Sequence, residues 1–126
     1  MKYIVFVLLF FISTPSWSQE IFNPMKNALK AGDASALARQ FNQQVEVTIN
    51  GNQSSYSKAQ AEIVIRDFFR DNPPSDFAIM HTGSSKGGLQ FAIGKYTAGK
   101  THYSVLMRVK ESGTAKLIHE ISFVKE

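Results

Sequence analysis

The sequence predicts an α+β domain, a curved antiparallel sheet of about six strands packed on N-terminal and central helices. Three observations carry that expectation. Apolar residues recur at helical spacing in Ala34, Leu37, Ala38 and Phe41, and again in Ala61, Val64, Ile65 and Phe68. Between these stripes Val45, Val47 and Ile49 alternate with Glu46, Thr48 and Asn50, the pattern of a half-buried strand. From Phe77 onward, apolar-rich runs are separated by turn signals at Ser85-Lys86-Gly87-Gly88, Ala98-Gly99-Lys100 and Ser112-Gly113, which reads as a four-stranded meander.

Each element has a local reason. Asn23 followed by Pro24 is a helix start, a capping side chain before a proline at the first helical position. Met25, Ala28 and Leu29 form its apolar face, and Gly32 suits a left-handed end. Asp33 caps a second, shorter helix. Asn50-Gly51 is a strong hairpin turn, so Gln53–Tyr56 returns as a partner strand. Ser57 with Gln60 three residues on forms a capping box for the longest helix. Glu62 and Arg66 are spaced for an i,i+4 ion pair on its solvent side, and Asn72-Pro73-Pro74 stops it.

The first eighteen residues read as an address. Lys2 supplies a positive start, Tyr3–Ile12 is an unbroken apolar run, and Ser16-Trp17-Ser18 places small residues at alternate positions. A spanning helix needs about 20 apolar residues, roughly twice this run, so a cleaved signal is expected. The chain is then exported, periplasmic or secreted, as a single domain covering residues 19–126, with no stable membrane span left after cleavage. That leaves 126 − 18 = 108 residues, and the loss of Lys2 lowers the net charge from +4 to +3. The lysines are scattered rather than gathered into the positive stripe that nucleic acid requires, so no nucleic-acid partner is expected. Cysteine is absent from the chain, which excludes disulfides, thiolate metal sites and a cysteine nucleophile.

Several segments together carry a resemblance: Lys30-Ala31-Gly32-Asp33-Ala34, Tyr56-Ser57-Lys58-Ala59-Gln60-Ala61-Glu62, Asp67-Phe68-Phe69, Phe77-Ala78-Ile79-Met80-His81-Thr82-Gly83, Ala92-Ile93-Gly94-Lys95-Tyr96 and His119-Glu120-Ile121. Ile21–Val124 resembles the nuclear-transport-factor-2-like superfamily, the cystatin-like α+β cone that includes ketosteroid isomerase. Within it the chain looks like a family of small exported bacterial proteins of unknown function. The resemblance implies a fold and no established activity, because one fold hosts many functions. It also implies two working surfaces, a concave face closed by helices and an outer face that commonly pairs subunits.

Alternation along strands assigns residues to those faces. With the turns as read, His81 lies opposite Ala92, Ala92 opposite Met107, and Met107 opposite His119. The concave face then carries Phe77, Ile79, Val105, Val109, Leu117, Ile121 and Phe123, with Ala92 and Gly94 leaving room. His81, Tyr96, Tyr103 and His119 are its polar exceptions, and with Met107 they are the candidate lining of a pocket for a small apolar ligand. The same residues also fit a plain structural role, as histidines bonded to backbone at the core edge and tyrosine hydroxyls at a rim.

No metal and no cofactor are expected. His81 and His119 would stand three strands apart, about 14 Å at the usual strand spacing, and zinc-binding spacings are missing. No catalytic residue is assigned, since the concave face offers tyrosines without a carboxylate and the serines have no positioned histidine and acid. The alternative from another class is a small hydrolase or isomerase with a pocket histidine as general base.

The outer face is expected to carry Met80, Phe91, Ile93, Leu106, Ile118 and Val124, rimmed by Lys95, Arg108, Lys110, Lys116 and Glu120. Apolar centres with charged rims are interface anatomy. The interface candidates are therefore Met80, Phe91, Ile93, Leu106, Arg108 and Ile118, and the expected partner is a second copy, with a different protein partner as the other possibility. A third layer formed by the N-terminal helices is the competing account of this face. The expected function is an exported, non-catalytic binding or interaction module.

Overall fold

The computed structural model describes residues 17–112 and 114–126. The expected export segment, Met1–Ser18, lies outside the described residues apart from Trp17 and Ser18. In chain order the elements are α1 (Trp17–Ala31), α2 (Ala34–Ala38), β1 (Phe41–Ile49), β2 (Asn52–Ser57), α3 (Lys58–Asp71), β3 (Asp76–Ser85), β4 (Leu89–Ala98), β5 (Thr101–Ser112) and β6 (Ala115–Lys125). The six strands form one sheet in the order β2-β1-β6-β5-β4-β3. Neighbours run antiparallel except β1 and β6, second and third in that order, which lie parallel.

Local chemistry explains most boundaries. The Asp33 carboxylate accepts from the Ala36 amide to start α2, and Ser57 Oγ accepts from the Gln60 amide to start α3. Glu62 and Arg66 pair at 2.7 Å on the solvent side of α3. Two boundaries differ from expectation. Helix α1 begins at Trp17, upstream of Asn23, and carries Pro24 inside it. The apolar face extends back to Phe22, which is fully buried beside Met25 and Leu29, so tertiary packing outweighs the hydrogen bond that Pro24 cannot donate. Phe41, expected at the end of α2, instead opens β1 and is buried there.

The helices lie on one face of the sheet. Phe22, Met25 and Leu29 of α1, Leu37 of α2, and Ile65, Phe68 and Phe69 of α3 belong to one buried cluster with Phe77, Tyr96, Val105, Met107, Ile121 and Phe123 of the sheet. The N-terminal helices therefore do not form a third layer, and among the described residues no helix covers the outer face.

Two β-bulges change the expected faces. In β3, Ile79 pairs with Gly94 while His81 pairs with Ile93, leaving Met80 as the extra residue. His81 thus stands on the outer face rather than the concave one, and Thr82 takes the place opposite Ala92. In β6, Val109 pairs with Ile118 and Arg108 with Glu120, so His119 is the extra residue. Met107 opposes Ile121, not His119. Ile118, expected outside, is 0% exposed in the core, while Leu117 and His119 leave the concave face. The cause is packing. Ile118, Ile121 and Phe123 all enter the core, and the three-residue step from Ile118 to Ile121 fits a strand only if one residue bulges out.

Candidate functional site

The concave side of the sheet is filled by its own side chains. Phe68 packs against Phe123, Tyr103 and Tyr96 at ring-centroid separations of 4.3, 5.1 and 5.5 Å, and Phe69 stacks near-parallel on Tyr96. The space expected at Gly94 is taken by the Phe77 ring. A Cβ on Gly94 would lie 2.5 Å from Phe77 Cζ and 2.8 Å from the Ala78 carbonyl oxygen.

Both tyrosine hydroxyls reach one residue. Tyr96 donates to the Asn72 backbone carbonyl, and Tyr103 donates to Asn72 Oδ1 at 2.9 Å. Asn72 in turn donates from its backbone amide and from Nδ2 to the Phe68 carbonyl, closing the end of α3. Burial pushes the Tyr96 phenol well above its ordinary value, so it remains a protonated donor. Asn72 had no separate signal in the sequence beyond its place before Pro73-Pro74.

The structure brings Tyr96, Tyr103 and Met107 together on the concave face, whereas His81 and His119 point the other way. Tyr103 also borders a hollow of about 300 Å³ at the end of the sheet, floored by Ile49, Val64 and Phe68 and edged by Asp67, Asp71 and Asn72. A wider hollow of about 600 Å³ lies between the α1–α2 turn and α3, where Arg66 and Arg70 stand beside Gly32 and Asp33. Both arginines already pair with carboxylates of their own helix.

The outer face divides into halves. On β4 and β5, Ile93 is directly opposite Leu106, with Phe91 and Leu89 at the next outward positions. Phe91 lies over Gly83 of β3, its cross-strand partner, where a Cβ would meet the ring at 2.5 Å. Met80 is 58% exposed at its bulge. Lys95, Arg108 and Lys110 stand around this half.

On the β1–β2–β6 half, one cross-sheet row runs Ser55, Glu46, Glu120, Arg108. Arg108 Nε lies 3.0 Å from Glu120 Oε1, an ion pair whose N–H is not aimed to make a hydrogen bond. Beside the row a cleft of about 310 Å³ opens, lined by Asn42, Gln44, Glu46, Ser55, Leu89, Arg108, His119 and Glu120. Burial, then the charge of Lys110, holds the His119 pKa below the usual imidazole range. Of the side chains in this cleft, the sequence reading named Arg108 and His119 as site candidates, Glu120 as a rim charge and Glu46 as a polar strand position, and gave Asn42, Gln44, Ser55 and Leu89 no individual role. The signal was the pair of adjacent apolar residues Leu117-Ile118 followed by polar His119-Glu120, a break in strict alternation.

The family described as Domain of unknown function (DUF4783) matches residues 22–124. A DUF4783 family protein from Bacteroides ovatus superposes with a TM-score of 0.79 at 24% identity, covering 82% of this chain and 94% of that one. An NTF2-like protein of unknown function from Shewanella baltica gives 0.67 at 11% identity, covering 90% and 98%. A domain of unknown function with a cystatin-like fold from Nostoc punctiforme gives 0.66 at 11%, covering 90% and 80%. No curated protein matches the chain in sequence. The fold is thus NTF2-like and cystatin-like, as the resemblance implied. Among the described residues no helix is long and apolar enough to cross a membrane.

Proposed function

Because the chain belongs to the DUF4783 family, a domain of unknown function, we propose that it is an exported, non-catalytic interaction module that pairs with a second copy through the outer face of its sheet. The observation that supports this reading is the contiguous apolar half of that face, with Ile93 against Leu106 and Phe91 and Leu89 alongside, on a side no described helix covers. Apolar surface left in water costs roughly 25 cal/mol per Å², and a two-fold copy of the same patch removes it from both chains at once. The Lys2-led apolar start and the small residues before Gln19 support the export part of this reading.

Sedimentation or native mass spectrometry of residues 19–126 tests the reading. A dimer is expected, and Leu106→Glu is expected to give a monomer with an unchanged circular dichroism spectrum. A wild-type chain that stays monomeric at high micromolar concentration sinks the interface.

A further inference from the structure

The polar cleft on the other half of the outer face is more than a surface irregularity, because two separate departures from regular pairing create it. In β6 the bulge at His119 sets His119 and Glu120 side by side on the outward face. In β1 the chain advances five residues, from Phe41 to Glu46, while β6 advances two, from Ile118 to Glu120. Asn42 to Val45 therefore have no pairing partner in β6. Bulges concentrate where a strand re-aims side chains towards a function.

What those side chains offer is mixed. Asn42 Nδ2 donates to the Gln44 carbonyl, leaving Asn42 Oδ1 as an acceptor. Gln44 Oε1 accepts from Ser55 Oγ, leaving its two amide donors. Glu46 Oε1 accepts from Gln53 Nε2, leaving Oε2. The neutral His119 ring carries one donor and one acceptor, and the half-exposed Arg108 guanidinium adds further donors. Leu89 supplies an aliphatic wall.

We propose that this cleft binds a neutral, hydroxyl-rich small molecule, a polyol or sugar, laid along the β1 irregularity between Gln44, Glu46 and His119. The charge pattern selects against ions of either sign. An anion drawn to Arg108 meets Glu46 and Glu120, and a cation drawn to those carboxylates meets Arg108. A hydroxyl donates and accepts at once, so a run of hydroxyls satisfies alternating amides, carboxylates and imidazole without a net charge. The cleft is at the lower end of the roughly 300–1,000 Å³ found for small-molecule sites, and its exposed walls suit a ligand that keeps part of its hydration.

The cleft shares Leu89 and Arg108 with the edge of the apolar half, so binding is tested in both the wild-type chain and Leu106→Glu. The measurement is a ¹⁵N-resolved NMR titration of residues 19–126 with glucose, galactose, N-acetylglucosamine and maltose, and separately with succinate and putrescine. Saturable shifts of the Gln44, Glu46, Ser55 and His119 amides by at least one of the sugars are expected, unchanged by salt. Gln44→Ala and Glu46→Ala, both at exposed positions, are each expected to weaken binding roughly tenfold, the loss of one or two hydrogen bonds. No saturable shift with any of the four sugars overturns the proposal. So do shifts driven equally by succinate or putrescine and abolished by salt, which would mark an ionic site.

Discussion

Asn72 concentrates several duties in one residue, through its backbone and its side chain. It ends α3, and it receives both buried tyrosine hydroxyls. Tyr103→Phe is expected to cost about 0.5–1.5 kcal/mol in urea unfolding, the net value of one hydrogen bond. Tyr96→Phe is expected to cost more, about 1–3 kcal/mol, because it leaves a carbonyl unpaired at the edge of a fully apolar cluster. Another residue-scale consequence concerns His119. Its folded pKa lies below the ordinary 6.5, so near that pH the unfolded chain binds the proton more readily than the folded one. Its contribution is therefore fully present above about pH 6.5 and is lost as pH falls through the lower folded value. The urea midpoint should fall from about pH 7 to pH 5.5, and His119→Gln should flatten that fall. Added salt should shrink the effect, since part of it comes from Lys110. The tyrosines were legible in the sequence as polar exceptions on an apolar face. Their partner was not, because Asn72 read only as a helix stop.

Among elements, the helices and hairpins were readable and the strand faces were only partly so. The caps at Asp33 and Ser57, the Glu62–Arg66 pair and the turn at Asn50-Gly51 rest on contacts within a few residues, which sequence encodes directly. Facing across β4 and β5 was also readable, since their pairing runs without a shift from Leu89–Lys110 to Ala98–Thr101. His81, Leu117, Ile118 and His119 were assigned to the wrong faces because a bulge exchanges the faces of the residues on one side of it relative to those on the other. In β6 the warning was the three-residue step between Ile118 and Ile121. Gly94 shows the same dependence on tertiary contact. It read as empty room, yet the Phe77 ring occupies that space. Gly94→Ala should destabilise the domain by about 1–3 kcal/mol in chemical denaturation, as overpacking does, because one of the three obstructing atoms belongs to the backbone of β3.

For the molecule as a whole, the outer face carries two surfaces of different character: an apolar one on β4 and β5, and a polar one on β1, β2 and β6. Lys95 and Lys110 flank the apolar half, and the charge of Arg108 there is offset by Glu120, so two copies brought together at this face repel at their rims while their centres attract. Raising ionic strength from low to physiological values screens the repulsion and leaves the apolar contact intact. The proposed dimer should therefore tighten with salt in sedimentation equilibrium, the opposite of an interface held by ion pairs. The scattered lysines of the sequence gave no hint of this division, because the parallel pairing that brings β1 and β2 beside β6 to build the polar half joins strands far apart in the chain.

That parallel pairing has a consequence for the order of events in folding. β6 lies between β1 and β5, so the β1–β2 hairpin has no sheet to join until the strand latest in chain order arrives. The Lys125 amide closing on Asn50 Oδ1 spans 75 residues. Loop closure over such a distance must precede the reward of the contact, which slows folding and makes it cooperative. A chain threaded through a membrane from its N-terminus would remain unable to complete its sheet until almost all of it had crossed. The topology itself would keep it open for transport and let it fold once, on the far side.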